Sequence, residues 1–230
     1  MPATRPAATN EAMSESPVVR LDLSLCRRPV RWITGRLAPL CPGWLAPDTI
    51  TCSSLVFSLV AAAALYLAGD SRAWLWLAAV MLVARSVADC LDGEIARRRG
   101  LASDHGMFLD IFLDDLSFTA MFLALACASY ANFAVIAVAA VVFLLNDIML
   151  NLRIHFLRRH EIPAVSPVEI CALMVLGCFL TFFFPRAILR FRGHPLGWFD
   201  VLAVFASIYG IVELLVSARR LYVELVRAGR

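Results

Sequence analysis

Charge is what this chain has least of. Only 17% of its 230 residues are charged and lysine is absent altogether, against about 25% charged residues in an ordinary soluble domain. A water-soluble globular fold is excluded on that ground. A nucleic-acid binder is excluded as well, because 21 basic residues face 18 acidic ones and leave a net charge of only +3. Clustered cysteines are also lacking. Cys26, Cys41, Cys52, Cys90, Cys127, Cys171 and Cys178 stand singly, with no C-x-x-C spacing and no cysteine-histidine cluster, so they read as small core residues and not as disulfides or metal ligands. Met1 to Ser16 has no apolar stretch of the kind a signal peptide requires; residues 1–17 read as a disordered leader.

Apolar residues dominate instead, at 61% with a mean hydropathy of +0.77. A run of about 20 apolar residues crosses a hydrocarbon core about 30 Å thick. Such runs fall at roughly Ile50 to Ala68, Ala73 to Leu91, Met107 to Tyr130, Phe133 to Leu152, Val168 to Phe184 and Phe199 to Val216. Residues 18–40 interleave Arg20, Arg27, Arg28, Arg31 and Arg36 with Leu21, Val30, Trp32, Ile33 and Leu37, a pattern too charged to span and suited to an amphipathic helix in the interface. The expected fold is all-α, a polytopic membrane bundle of six transmembrane helices over 41–220 preceded by that interfacial helix, with a cytoplasmic tail at 221–230. Arginines crowd the amino-terminal segment, Arg97 to Arg99, Arg153 to Arg159 and the tail. By the positive-inside rule both termini are cytoplasmic, in what is expected to be a bacterial inner membrane.

Ionisable groups inside spans are costly and tend to be functional. Arg85, Asp89, Asp92, Asp110, Asp114, Asp115, Asn146, Asp147, Asn151, Glu169 and Glu213 all fall toward the cytoplasmic ends of their helices. They describe one inward-opening cavity and not a path across the membrane. At helical spacing Asp89 and Asp92 share a face, as do Asp110 and Asp114. If their two helices are neighbours, four carboxylates converge. Their repulsion calls for hard divalent cations with oxygen ligands, Mg²⁺ or a similar ion, plausibly a pair. Such a site beside arginines suits a diphosphate, and the small residues Gly93, Ala96 and Gly106 would let a flat base or phosphate approach the backbone.

The string D-x-x-D-G-x-x-A-R, eight residues, then G-x-x-x-D-x-x-x-D, filled by Asp89, Asp92, Gly93, Ala96, Arg97, Gly106, Asp110 and Asp114, resembles the signature of the CDP-alcohol phosphotransferases. Pro47-Asp48-Thr49-Ile50-Thr51 is similar to that family's P-N-x-x-T opening, with aspartate in place of asparagine. The resemblance implies an integral membrane enzyme of phospholipid synthesis that transfers a substituted phosphate from a CDP-linked donor to an alcohol acceptor and releases CMP. Asp89, Asp92 and Asp110 would ligate Mg²⁺ or Mn²⁺, two ions being expected. Asp114 would share in metal binding or act as the catalytic base, a role favoured by its position one turn deeper than Asp110. Thr51, Gly93, Ala96, Arg97 and Gly106 would form the donor site, with Arg97 meeting the phosphates. A homodimer among membrane lipids is the expected assembly.

Arg85, Asn146, Asp147, Arg153 and Glu169 are the candidates for acceptor binding. For the asparagines interhelical hydrogen bonding is an equal explanation, and for Glu169 so is the chemistry of a helix start. Asp104 and His105 are expected in the loop between the motif halves. CDP-diacylglycerol is the favoured donor, with serine, inositol phosphate or glycerol phosphate as acceptors. The alternative is a CDP-aminoalcohol donor acting on a lipid alcohol. A prenyltransferase lacks its N-D-x-x-D-x-x-x-D spacing here, and a transporter is disfavoured by the one-sided polar groups and the absence of visible repeats.

Overall fold

The computed structural model describes residues 27–157, 166–185, 189–191 and 194–227. The leader at 1–17, the start of the 18–40 segment, Arg158, Arg159, Arg186, Arg192 and Arg230 lie outside the described residues.

Each expected apolar run is a helix. α1 covers Arg27–Leu37 and passes through a 3-10 turn at Ala38–Leu40. α2 covers Pro47–Leu67, α3 Trp74–Arg99, α4 Asp104–Ala126, α5 Phe133–Leu157, α6 Pro167–Phe183 and α7 Trp198–Arg227. Four of them, α2, α3, α5 and α7, are long and apolar enough to cross a membrane. α4 carries its acids and α6 has 17 residues.

Local chemistry sets the boundaries. Pro47 and Pro167 occupy first-turn positions, where a missing N–H costs nothing. α3 runs two turns beyond its expected end and stops at Gly100, whose φ of 66° places it in the left-handed region that glycine adopts freely. Its two extra turns are polar and so escape a hydropathy window. α4 begins earlier than expected. The Ser103 hydroxyl accepts a hydrogen bond from the Gly106 N–H at 3.2 Å, so Asp104 and His105 belong to the first helical turn and not to a loop. α7 likewise continues through Arg227. A two-stranded antiparallel ribbon, β1 at Leu189–Phe191 and β2 at His194–Leu196, joins α6 to α7. The all-helical expectation missed it because three-residue strands leave too little pattern to read.

α2 packs on both α3 and α4, α6 lies against α3, and α5 and α7 form a pair beside α4. Ala61, Leu65, Leu82, Phe118, Met121, Met174 and Phe199 belong to one buried core. α2 turns Thr51, Ser54 and Ser58 inward. The two serine hydroxyls donate to carbonyls one turn back, Ser54 to Thr51 and Ser58 to Ser54 at 2.8 Å each. Small side chains that satisfy their own donors let neighbouring helices approach closely.

In the last turn of α3, Arg99 donates to the carbonyls of Cys41, Pro42, Gly43 and Leu45 at 2.7 to 3.4 Å, and Arg98 reaches the Gly35 carbonyl at 3.1 Å. At the opposite end of the bundle, buried Asp200 accepts from the N–H groups of Asn132 and Gly197 at 2.7 and 2.8 Å, while the Tyr130 hydroxyl donates to the Leu65 carbonyl at 2.6 Å.

Where α6 crosses α7, Gly177 admits the Phe199 ring. A Cβ there would stand 2.6 to 3.0 Å from three of its carbons. Gly177→Ala is therefore expected to destabilise the protein by about 1–3 kcal/mol, read as a lowered melting temperature in detergent.

Candidate active site

The carboxylate site forms where side chains of α3 and α4, two helices that both pack on α2, reach one another. Along α3, Arg85 precedes Asp89 by one turn; along α4, Asp114 follows Asp110 by one turn. Arg85 Nη2 donates to Asp114 Oδ1 at 2.6 Å, and one turn toward the helix ends Asp89 and Asp110 come together. The result is a group of carboxylates, Asp89, Asp110 and Asp114, each offering an oxygen within 4.8 Å of the others. Asp110 Oδ1 is buried with no hydrogen-bond partner among the described residues. Three anionic groups this close, one of them holding an orphaned oxygen, make a donor set that fits a hard divalent cation.

Asp92, the fourth carboxylate of the string, stands outside that group. It is buried and accepts a bond from the Thr51 hydroxyl of α2 at 2.6 Å; its other oxygen takes the Gly93 N–H. Thr51 and Asp92, assigned to different roles in the sequence, are thus one unit that ties α2 to α3. Helical spacing gave no sign of this, since the partner lies on another helix.

Around the carboxylates, Gly93 and Gly106 leave space. A Cβ at Gly93 would meet nothing nearer than Arg97 Nη1 at 3.4 Å, and one at Gly106 would meet Ser103 Oγ at 3.2 Å and Asp48 Oδ1 at 3.8 Å. The packing of the protein itself does not demand glycine at Gly93, as it does at Gly177. Arg97 is exposed on the last turns of α3 and pairs with Glu94 at 3.0 Å; Arg98 shares the same carboxylate at 2.6 Å. Ala96 stands on the same stretch of α3.

The five acceptor candidates do not form one site. Arg85 is enclosed beside Asp114. Glu169 accepts from both the Ser166 N–H, at 2.9 Å, and the Ser166 hydroxyl, so it closes the start of α6. Asn146, Asp147 and Arg153 line a cavity of about 400 Å³ between α4, α5, α6 and α7, which is mostly apolar and also reaches Glu213 and Ser217. Within it the Asn146 amide donates to the carbonyls of Val142 and Gly210 at 2.8 and 3.0 Å, bridging α5 to α7. Asp147 accepts from Asn151 at 2.7 Å.

A protein-family model described as CDP-alcohol phosphatidyltransferase matches residues 44–218. No match is found among curated proteins. Among solved structures, the fold is similar to that of phosphatidylinositol phosphate synthase of Mycobacterium tuberculosis with CDP-DAG bound, at 18% identity and a TM-score of 0.61 over 84% of this chain and 92% of that one. It is similar too to the same enzyme in complex with manganese and citrate, at 17% identity and a TM-score of 0.63 over 84% and 88% of the two chains.

Thr51→Val keeps the shape of the side chain and removes the donor to a buried carboxylate. It is expected to cost about 1–3 kcal/mol, and thermal melting with Ser53→Ala, whose hydroxyl bonds only within its own helix at 2.7 Å, as the control measures it.

Proposed function

The chain belongs to the CDP-alcohol phosphatidyltransferase family, and from that premise we propose that it moves a phosphatidyl group from CDP-diacylglycerol to a small alcohol and releases CMP. The observation that carries this reading is the convergence of Asp89, Asp110 and Asp114, three of the motif aspartates, within 4.8 Å. The solved relative bound to CDP-DAG supports the choice of donor, and its complex with manganese supports the metal.

A pair of Mg²⁺ or Mn²⁺ ions held by these aspartates, with Asp92 beside them, would neutralise the diphosphate and polarise the phosphorus under attack. The protein's own residues supply the rest. Thr51 holds Asp92 so that its carboxylate keeps one orientation. Gly93, Ala96 and Gly106 leave room for the nucleotide, and Arg97, at the exposed end of α3, turns from Glu94 to the donor's phosphates. Asp114 takes the proton of the acceptor hydroxyl as that oxygen attacks, and the CMP phosphate departs with the electron pair of the broken P–O bond. The acceptor headgroup lies toward Asn146, Asp147 and Arg153.

We place the six helices α2 to α7 across the membrane as one catalytic domain, 41–220, with α1 in the interface. The stacking of Arg36 over Trp32 at 4.0 Å and the exposure of Trp32 and Trp44 support that position for α1. Both termini and the site face the cytoplasm of a bacterial inner membrane. Phe205, Ile208, Val212 and Leu215 of α7 are exposed and provide apolar area for lipid and for the second copy of a homodimer.

CMP release should vanish in excess chelator and return with Mg²⁺ or Mn²⁺; Asp89→Ala, Asp92→Ala and Asp110→Ala should abolish it. Asp114→Asn should lower kcat about 100-fold or more while donor affinity changes little. Full activity in chelator would refute the metal reading. For orientation, a cysteine in place of exposed Ala102, in a chain otherwise free of cysteine, should react with an impermeant thiol reagent only once the vesicle interior is opened. Labelling of intact cells from outside would reverse the topology.

A further inference from the structure

Arg85 sits in the middle of α3 with 0% of its surface exposed, and the phosphotransfer chemistry above gives it no part. Its Nη2 donates to Asp114 Oδ1 at 2.6 Å and stands 3.9 Å from Asp89 Oδ1. The guanidinium carbon lies 4.3 Å from the centroid of the Phe118 ring, and Nη1 reaches Cys171 Sγ of α6 at 3.5 Å. Arg85 is also not among the residues lining the large cavity. A guanidinium enclosed in this way is turned from a soluble acceptor and toward a carboxylate of the site.

We propose that Arg85 is a positioning residue for Asp114: it takes one carboxylate oxygen in a charge-assisted bond and leaves the other, in a fixed orientation, to serve the reaction. The proposal rests on the phosphotransfer reading, in which Asp114 works on the acceptor hydroxyl or shares in metal binding. A planar fork held against an aromatic face has little freedom to turn, so it passes its own rigidity to the carboxylate it grips. Lysine has the charge but not the fork. Misplacing a reacting group by about 1 Å costs about 100-fold in rate. Removal of Arg85 should therefore be felt in turnover and not in substrate affinity.

The test uses the full chain, reconstituted with CDP-diacylglycerol and with whichever of glycerol phosphate, inositol phosphate or serine supports CMP release. In Arg85→Met, kcat should fall about 100-fold while the KM of donor and acceptor stay within about threefold. Arg85→Lys should recover about tenfold of that loss. The double variant Arg85→Met, Asp114→Asn should be no slower than Asp114→Asn alone, because the arginine acts through that aspartate. Melting temperature gives a readout independent of activity. Arg85→Met should melt lower than the native protein, and adding Asp114→Asn should raise it again by removing the uncompensated carboxylate.

A raised acceptor KM with kcat unchanged would make Arg85 an acceptor ligand and overturn the proposal. Losses that multiply in the double variant would overturn it too. Should Arg85→Met fail to fold, Arg85→Lys decides, since an unchanged kcat there removes the positioning role. A native protein that releases no CMP from any CDP-linked donor would instead sink the phosphotransfer reading, and the positioning role with it, while the melting arm still reports on the ion pair.

Discussion

An ionised side chain inside a bundle of apolar helices must find its partner within the bundle, since hydrocarbon offers none. Arg85 meets that constraint by reaching Asp114 on α4 and Cys171 on α6, so that three helices are set around one guanidinium. The carboxylate group follows from it. Because α3 and α4 run antiparallel, a contact between Arg85 and Asp114 brings their neighbours one turn onward, Asp89 and Asp110, to the same level. Three acids and one base at helical spacing are thus gathered around the contact of Arg85 with Asp114.

A second tie joins α3 to α2. Thr51 spends its hydroxyl on Asp92 and fixes α2 against α3, while the serines behind it on α2 keep their hydroxyls satisfied within the helix. α3 is therefore tied to α2 and to α4 by polar contacts whose donors and acceptors match. The interior elsewhere is left to alanine, leucine, methionine and phenylalanine. Polar groups at the far end, Asp200 and Tyr130, close the connections there and take no part in the site.

Much of this was legible in the chain because hydropathy and helical period are strong signals in a membrane protein. The apolar runs located the helices, and the spacing of Asp89, Asp110 and Asp114 put each on the right face. What could not be read was anything that depends on a partner from another helix. Asp92 looked equivalent to Asp89 by spacing, and only packing reveals that Thr51 occupies it. Arg85 looked like an acceptor ligand, whereas its shortest polar contact runs across to Asp114 on α4. Asn146 was ambiguous for the same reason, and the structure gives it the Gly210 carbonyl of α7. Asp200 had no motif around it to mark it. The helix ends erred where polar residues prolong α3 and α7, since a hydropathy window stops at charge even when the backbone does not.

The clasp formed by Arg99 bears on the order in which the protein is assembled. The carbonyls it binds lie 54 to 58 residues earlier in the chain, ahead of both α2 and α3. During synthesis the connection at Cys41 to Leu45 emerges with its carbonyl groups open to water or headgroups, and it takes its final shape only after the last turn of α3 has left the ribosome. The amino-terminal helix is thus made first and fastened late. The same arginine that ends α3 thereby draws the earlier segment into place.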